Sequence, residues 1–445
     1  MSVDTALQKL EAADGPIRVA MVGAGATGRA VALQLGTPVP GMRLVAIANR
    51  TPEHAERALR EGGFSNWARV SSAQQAEENI ARGVTVLTDD PFVLTSCASI
   101  DVLLEVTGTV EAAAGVVLDA FSHGKHVVLV NAELDSLIGP ILKVKADEAG
   151  VVLTHTDGDE PGVAMTLLRY LRTLGLHVVA AGNIKGMVDY YRNPDTQKAF
   201  AEKNDQDVKK VTSFADSTKL SMEATVLANA TGFRVGRRGM HGPACGYVRE
   251  VANLLPAEQM LQTGLVDFAL GAAPHTGAFV IVHEDSPLKK AQLAYYKLGD
   301  GPFYTFYTPF HLPHLQIAST IGRVIVHRDA TVAPIGGPVC EVVSVAKRDL
   351  KAGERLDGIG GFCTYGLIDN ASSARGMGAL PIGLSEGCVL RRDVLKDDVV
   401  CFDDVDAIPG GIAGTLWREQ NARWPSTTNA PVESSQQPLS VTGVR

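Results

Sequence analysis

Residues 154–162 read Thr-His-Thr-Asp-Gly-Asp-Glu-Pro-Gly and follow the aliphatic run Gly150-Val151-Val152-Leu153. Three carboxylates, Asp157, Asp159 and Glu160, thus fall within four residues at the end of what reads as a buried strand. Ionised side by side they repel one another, and removing water from them is costly unless something positive sits among them. Hard oxygen donors such as Asp159 and Glu160 suit Mg2+ or Mn2+, ions that keep open positions for substrate oxygens. The same stretch also fits an Asx turn, with Asp157-Gly158 turning the chain and Pro161-Gly162 starting a helix.

A second group lies in ADSTKLSMEATVLANATG, residues 215–232. Lys219 and Glu223 stand at i and i+4 on one helical face, with Asp216 at the helix start. A surface ion pair produces the same spacing, but Ser221, Thr225 and Asn229 make this helix polar in the manner of one that lines a site. Lys185, in AAGNIKGMVDYY, follows an apolar strand beside Asn183, a strand-end position open to ligand. A buried lysine there can relay protons. The run FRVGRRGMHG offers Arg234, Arg237, Arg238 and His241 among glycines; guanidinium forks grip phosphate, and a solvated loop is the plainer alternative. His311 and His314 flank Pro313, which precludes an ordinary helix, and they read as structural histidines. No Cys-His pair or Gly-x-Ser-x-Gly elbow suggests covalent catalysis.

The other chemical signature is Gly23-Ala24-Gly25-Ala26-Thr27-Gly28. It follows the apolar run Ile17–Val22 and opens a helical stretch, the context in which G-x-G-x-x-G binds a dinucleotide. The first glycine makes the turn, the second admits the pyrophosphate and the third lets helix and strand pack. At the end of the second strand, where an NAD site usually places an acid, stand Asn49 and Arg50. No carboxylate is there to repel a 2'-phosphate and Arg50 could pair with it, so NADPH is expected over NADH. Two later strand ends, at Thr107-Gly108 and at Asn131 and Glu133, are candidates for the nicotinamide side.

These groups need a scaffold. From Ile17 the chain alternates apolar strands with helical segments, the pattern of a parallel α/β sheet covered on both faces. A doubly wound Rossmann domain is expected over residues 1–155, an α+β catalytic and dimerisation domain over 156–335, and a small β domain over 336–424. In the last, AKRDLKAGERLD (346–357) echoes LRRDVLKDDVV (390–400). Residues 425–445 have the composition of a disordered tail. At 445 residues, 45% hydrophobic, 20% charged and a net charge of −8, the chain selects against nucleic acid or an anionic membrane as partner. Its six cysteines form no Cys-x-x-Cys pair and read as reduced thiols of a cytoplasmic protein. No stretch is long and apolar enough for a membrane span.

The Rossmann turn, LLEVTGT, VVLVNAE, DGDEPG and STKLSMEATVLANATG, in this order, resemble homoserine dehydrogenase-like oxidoreductases with a C-terminal SAF-type β domain. Within that group the chain is similar to the second type of 1-deoxy-D-xylulose 5-phosphate reductoisomerase. The resemblance implies NADPH, Mg2+ or Mn2+, a homodimer, a phosphorylated sugar substrate and inhibition by fosmidomycin. It implies Asp159 and Glu160 for the metal-binding turn and Lys219 and Glu223 for the helix after it, so that Asp159, Glu160 and Glu223 are the expected metal ligands; Lys219, together with Lys185 from its strand-end position, is expected to polarise oxygen or relay protons. Asp216, Arg237, Arg238 and His241 would bind the substrate. The expected reaction yields 2-C-methyl-D-erythritol 4-phosphate for isoprenoid synthesis. The rivals are a plain NAD(P)-dependent dehydrogenase of a small hydroxy compound or polyol, and a redox-sensing module that binds the dinucleotide without consuming it.

Overall fold

The computed structural model describes residues 3–408 and 410–425, so the expected tail lies, from residue 426 onward, outside the described residues. Seven strands form the first sheet: β1 (Ile17–Val22), β2 (Met42–Ala48), β3 (Trp67–Arg69), β4 (Thr85–Thr88), β5 (Val102–Glu105), β6 (His126–Leu129) and β7 (Leu153–His155). All pair in parallel, in the order β3-β4-β2-β1-β5-β6-β7. Helices cover both faces, which is why the strands read as unbroken aliphatic runs rather than alternating ones; Val19, Ala20 and Met21 are all fully buried. The strand order reverses between β1 and β5. A crevice opens at their carboxyl ends, where open parallel sheets bind ligands.

A second sheet of four strands has the order β11-β10-β8-β9, with β8 (His177–Lys185), β9 (Leu265–Leu270), β10 (Ala278–His283) and β11 (Phe303–Thr308). Helices Glu160–Thr173 and Thr218–Thr231 pack on it through Val163, Leu168, Met222 and Val226 against Val178, Ala181, Val280 and Val282. The other face is covered by Val248, Val251, Leu255 and Met260. Because β8 ends at Lys185 and the Glu160 helix starts directly after β7, the chemistry predicted from the two segments meets at the junction of the two sheets.

β12 (Cys340–Ala346) pairs antiparallel with β13 (Thr364–Asn370). The two echoing segments that follow each of these strands pair with one another: Leu350 and Val394 exchange backbone hydrogen bonds of 2.8 and 3.0 Å, and Arg355 bridges Val389. The repeated Arg-Asp-aliphatic triplet therefore marks a local pseudo-two-fold, with the equivalent aliphatics 0% and 5% exposed. No helix among the described residues is long and apolar enough to cross a membrane.

Helix Ile412–Arg423 returns to the first sheet and docks on helix Ala132–Glu148. Pro140 inside that helix removes one N–H from its ladder. At that turn the buried Gln420 amide accepts from Ile141 N at 3.2 Å and donates to the Leu137 carbonyl at 3.0 Å. Gln420→Leu keeps the bulk but leaves these groups without the amide. It should lower unfolding stability by about 1–3 kcal/mol, read from the urea midpoint; an unchanged midpoint would show that the helix closes by itself.

Candidate active site

At the crevice, Gly23 has φ +108, and a side chain there would meet Val106 C and Thr107 N at 3.0 Å. A Cβ on Gly28 would lie 2.4 Å from the Gly23 carbonyl oxygen, whereas the space above Gly25 is open. The three glycines thus divide the work as the fingerprint requires: turn, approach and packing. Ala26 and Thr27 begin helix Ala26–Gly36, whose free N–H groups suit a pyrophosphate. Asn49 braces the turn, accepting from Ala24 N at 3.0 Å and donating to the Thr51 carbonyl at 2.8 Å. Arg50 is exposed beside it.

The β5 end is organised by Glu105, which is fully buried and accepts from the Thr107 amide (3.0 Å), the Thr107 hydroxyl and Asn131 Nδ2 (2.5 Å). Burial pushes this carboxyl up to about 7 against the pull of those donors. Asn131 corrects a sequence expectation. It is not a strand end reaching for nicotinamide but the N-cap of the Ala132–Glu148 helix, its oxygen accepting from Leu134 N at 3.0 Å. Both its N–H groups are committed, to Glu105 and to the Thr109 carbonyl. Its amide is spent on the fold.

Glu133, two residues on, points to the other site. Its Oε2 lies 3.5 Å from Lys219 Nζ. Here the acid turn and the Lys219 helix converge: Asp159, Glu160 and Glu223 are buried and place one oxygen each within 4.8 Å of the others. Asp159 is the N-cap residue of helix Glu160–Thr173, and Glu160 its first residue. Lys185 Nζ bonds Glu160 and lies 3.5 Å from Glu223 Oε2, which also accepts from Asn183 Nδ2 at 3.0 Å. Three hard oxygens at this separation fit a divalent cation. Asp157 is buried too, but it is not one of the three; its amide donates to Thr320 Oγ1 at 2.9 Å.

The electrostatics follow from burial and like charge. Burial and the neighbouring Glu160 carboxylate hold Glu223 well above the usual carboxylate range. Burial opposes ionisation of Asp159, but Lys219 and then His155 hold it well below that range; burial opposes ionisation of Glu160 too, and Lys185 outweighs it to lower that carboxyl. Burial also works against both ammonium groups, yet the carboxylates win. Glu160 and Glu223 raise Lys185, and Glu133 and Asp159 raise Lys219.

Three members of the site were not expected. His155, inside the opening motif, is fully buried with Nε2 2.8 Å from Asp159 Oδ2. Its Nδ1 lies 3.2 Å from Asp135 Oδ2, an ion-pair contact whose geometry falls short of a hydrogen bond. Burial opposes its protonation, but Asp135 and Asp159 together push His155 up to about 9. Asp135 has room because the facing residue is Gly139, where a Cβ would lie 2.1 Å from its Oδ1. His311, expected to be structural, has Nε2 3.7 Å from Glu160 Oε2 and Nδ1 3.0 Å from Thr276 Oγ1. The only sequence signal for His155 was its place four residues before Asp159; that for His311 was its nearness to His314, which Pro313 weighs against as a metal pair.

Other expected ligands are engaged elsewhere. Asp216 does not start the Lys219 helix but ends the one before it, and it pairs with Lys347 at 2.7 Å while accepting from Thr218 N. Arg238 pairs with Asp369 at 2.8 Å, and Arg237 donates to the Met240 and His241 carbonyls. His241 bonds Gln259 through Nε2 and Asp267 through its amide. Ser221 and Asn229 are polar because they dock the C-terminal strands: Ser221 donates to the Gly366 carbonyl, and Asn229 accepts from Val339 and Cys340 amides.

Comparison with known proteins follows the same division. Residues 158–317, which contain the acid cluster, both lysines and His311, match the family described as oxidoreductase DRL, catalytic domain. Residues 23–147 match the homoserine dehydrogenase NAD binding domain. The two matches thus fall on the two regions separated by the geometry: a nicotinamide dinucleotide-binding region of the homoserine dehydrogenase kind, and a region similar to an oxidoreductase catalytic domain. The cofactor is a nicotinamide dinucleotide. A homoserine dehydrogenase of Pseudomonas aeruginosa is 31% identical over 105 residues, which is 24% of this chain and 24% of that protein. The chain thus spans about a quarter of the length of the curated relative it matches. Among solved structures, a homoserine dehydrogenase from Thiobacillus denitrificans is 16% identical with a TM-score of 0.42, covering 76% of this chain and 83% of that one. A scyllo-inositol dehydrogenase from Lactobacillus casei, solved with NAD(H) and scyllo-inositol, is 14% identical with a TM-score of 0.35, covering 60% and 73%.

The charged state of His155 is testable. A histidine raised in the fold stabilises it fully below pH 6.5, and that contribution is lost as pH rises through about 9. In metal-free protein, the stability margin of wild type over His155→Gln should therefore shrink by roughly 3 kcal/mol across that window. A margin independent of pH would contradict an imidazolium held between Asp135 and Asp159.

Proposed function

We propose that the oxidoreductase moves hydride between NADP(H) and a small substrate bearing a carbonyl or alcohol beside a second oxygen. Asp159, Glu160 and Glu223 would hold a divalent cation. The observation that carries this reading is the convergence of these three buried carboxylates with Lys185 and Lys219. A bound cation supplies Lewis acidity to the substrate oxygens, and the nicotinamide supplies or accepts the hydride. The chain itself provides the rest. Lys219 and Lys185, kept as ammonium by surrounding carboxylates, present N–H donors to the oxygen on which charge develops. His155 and Asn183 hold the carboxylates Asp159 and Glu223 in place through Asp159 Oδ2 and Glu223 Oε2, respectively. Burial of the cluster keeps water from competing for these contacts. NADP(H) is favoured over NAD(H) because exposed Arg50, with no carboxylate at Asn49, stands at the end of β2.

This is the reading of a homoserine dehydrogenase-like dehydrogenase of a small hydroxy compound or polyol. The engagement of Arg237 and Arg238 within the fold supports a substrate without a phosphate group. One observation favours the reductoisomerase as a second reading: three converging buried carboxylates exceed what simple hydride transfer needs, and a cation held by them would suit a rearrangement through an enolate. The homodimer implied by the resemblance belongs to this second reading, whereas the SAF-type module is compatible with both.

NADPH oxidation should be followed with a panel of hydroxyketones, oxidised polyols and 1-deoxy-D-xylulose 5-phosphate, with Mn2+ or with EDTA. The expected result is turnover that needs Mn2+, and an Arg50→Ala variant whose KM rises about tenfold for NADPH but not for NADH, the worth of one charged contact. Turnover unaffected by EDTA would remove the metal, and equal effects on both coenzymes would remove Arg50. Conversion of the sugar phosphate would select the second reading.

A further inference from the structure

Two helices whose sequence lies in the matched catalytic region, Pro194–Lys203 and Val208–Ala215, cross back to the crevice of the first sheet. Each rim of the crevice is touched. On the β5 side, Lys210 donates to the Thr107 carbonyl at 2.6 Å, and its Nζ lies 2.8 Å from where a Cβ on Gly108 would stand. Gly108 has φ +61, so both conformation and this close approach demand glycine. On the β1 side, Asp205 turns the chain between the two helices with φ +50. Its Oδ2 lies 2.8 Å from Arg29 Nη2 and 2.6 Å from Arg57 Nη2. Arg29 directly follows Gly28 of the fingerprint, and Arg57 lies on helix Pro52–Glu61 beyond β2.

β1 and β5 are the neighbours at which strand order reverses, so a segment anchored on both rims roofs the dinucleotide site. The cations it meets there are not equivalent. Arg29 is neutralised by Asp205 and Glu61, and Arg57 by the same two acids. Lys210 is exposed and bonded only to a neutral backbone carbonyl among the described contacts. A phosphate oxygen is a stronger acceptor for an ammonium than a carbonyl is. Glu133, the acid facing this spot, lies 3.8 Å from the position of a Gly108 Cβ and is itself paired to Lys219.

We infer that Lys210 is a cofactor-binding residue that reaches the dinucleotide pyrophosphate from the roof, and that Asp205 latches this roof to Arg29 and Arg57. The inference rests on the nicotinamide cofactor alone and is independent of the metal. Because the pyrophosphate is common to both coenzymes, Lys210 differs in its effect from Arg50, which is aimed at the 2'-phosphate.

The test is fluorescence titration of NADH and NADPH into wild type, Lys210→Met and Lys210→Arg, with stopped-flow release from Asp205→Asn. Lys210→Met should raise Kd for both coenzymes by a similar factor, about tenfold, with Lys210→Arg restoring most of the affinity. Thermal midpoint and circular dichroism should stay at wild-type values, separating lost contact from lost fold. Asp205→Asn should release both coenzymes several-fold faster. Unchanged affinity in Lys210→Met, or a loss confined to NADPH, would overturn the assignment of Lys210. An unchanged release rate in Asp205→Asn would overturn the latch.

Discussion

Burying like charges together is the constraint around which this structure is arranged. Asp159, Glu160 and Glu223 share a buried space at the junction of two sheets. In that setting ionised carboxylates stay together only if cations are brought to them. The chain brings them from separate elements: Lys185 from the end of β8, Lys219 from the helix that also bears Glu223, and His155 from the end of β7. Even so, burial first and then the neighbouring Glu160 carboxylate keep Glu223 well above the usual carboxylate range. A divalent cation would complete that balance, and a developing alkoxide would then be the anion the completed site favours.

The Ala132–Glu148 helix ties this cluster to the cofactor crevice. Within its first turn and cap, Asn131 orders the β5 loop, Glu133 meets Lys219 and Asp135 meets His155. Consecutive side chains of a helix start diverge around its axis, so one short segment can serve three neighbours. Gln420 fixes the turn at Pro140 from the C-terminal helix, and Gly139 makes the space that Asp135 occupies. The position of the β5-end crevice relative to the acids thus depends on the packing of a helix that supplies no member of the carboxylate triad.

Much of this was legible in the residues because the signals are local. G-x-G-x-x-G carries its own strand, turn and helix. The alternation of apolar runs predicts a doubly wound sheet, and the seven parallel strands have that form. The i, i+4 spacing put Lys219 and Glu223 on one face, and the structure brings both beside the acid turn. What failed was the inference from polarity to ligand. Ser221, Asn229, Asp216 and Arg238 are polar to satisfy partners in the C-terminal strands, Lys347 and Asp369 included, and a single segment cannot reveal a partner a hundred residues away. His155, Asp135 and His311 were missed for the converse reason. Each acquires its role only when separate elements meet, and Pro313, which argued against a paired-histidine helix, leaves His311 free to reach Glu160 from a loop.

The most direct measurement of the central claim is calorimetric titration of Mn2+ into the wild-type protein and into an Asp159→Asn, Glu160→Gln double variant, with thermal melts to confirm that both are folded. The account predicts one site per chain in the wild type and its loss in the variant, since two of three buried oxygen donors would be neutral. Equal affinity in both folded proteins would contradict it, and would leave Lys185 and Lys219 as the permanent counter-charges of a metal-free site.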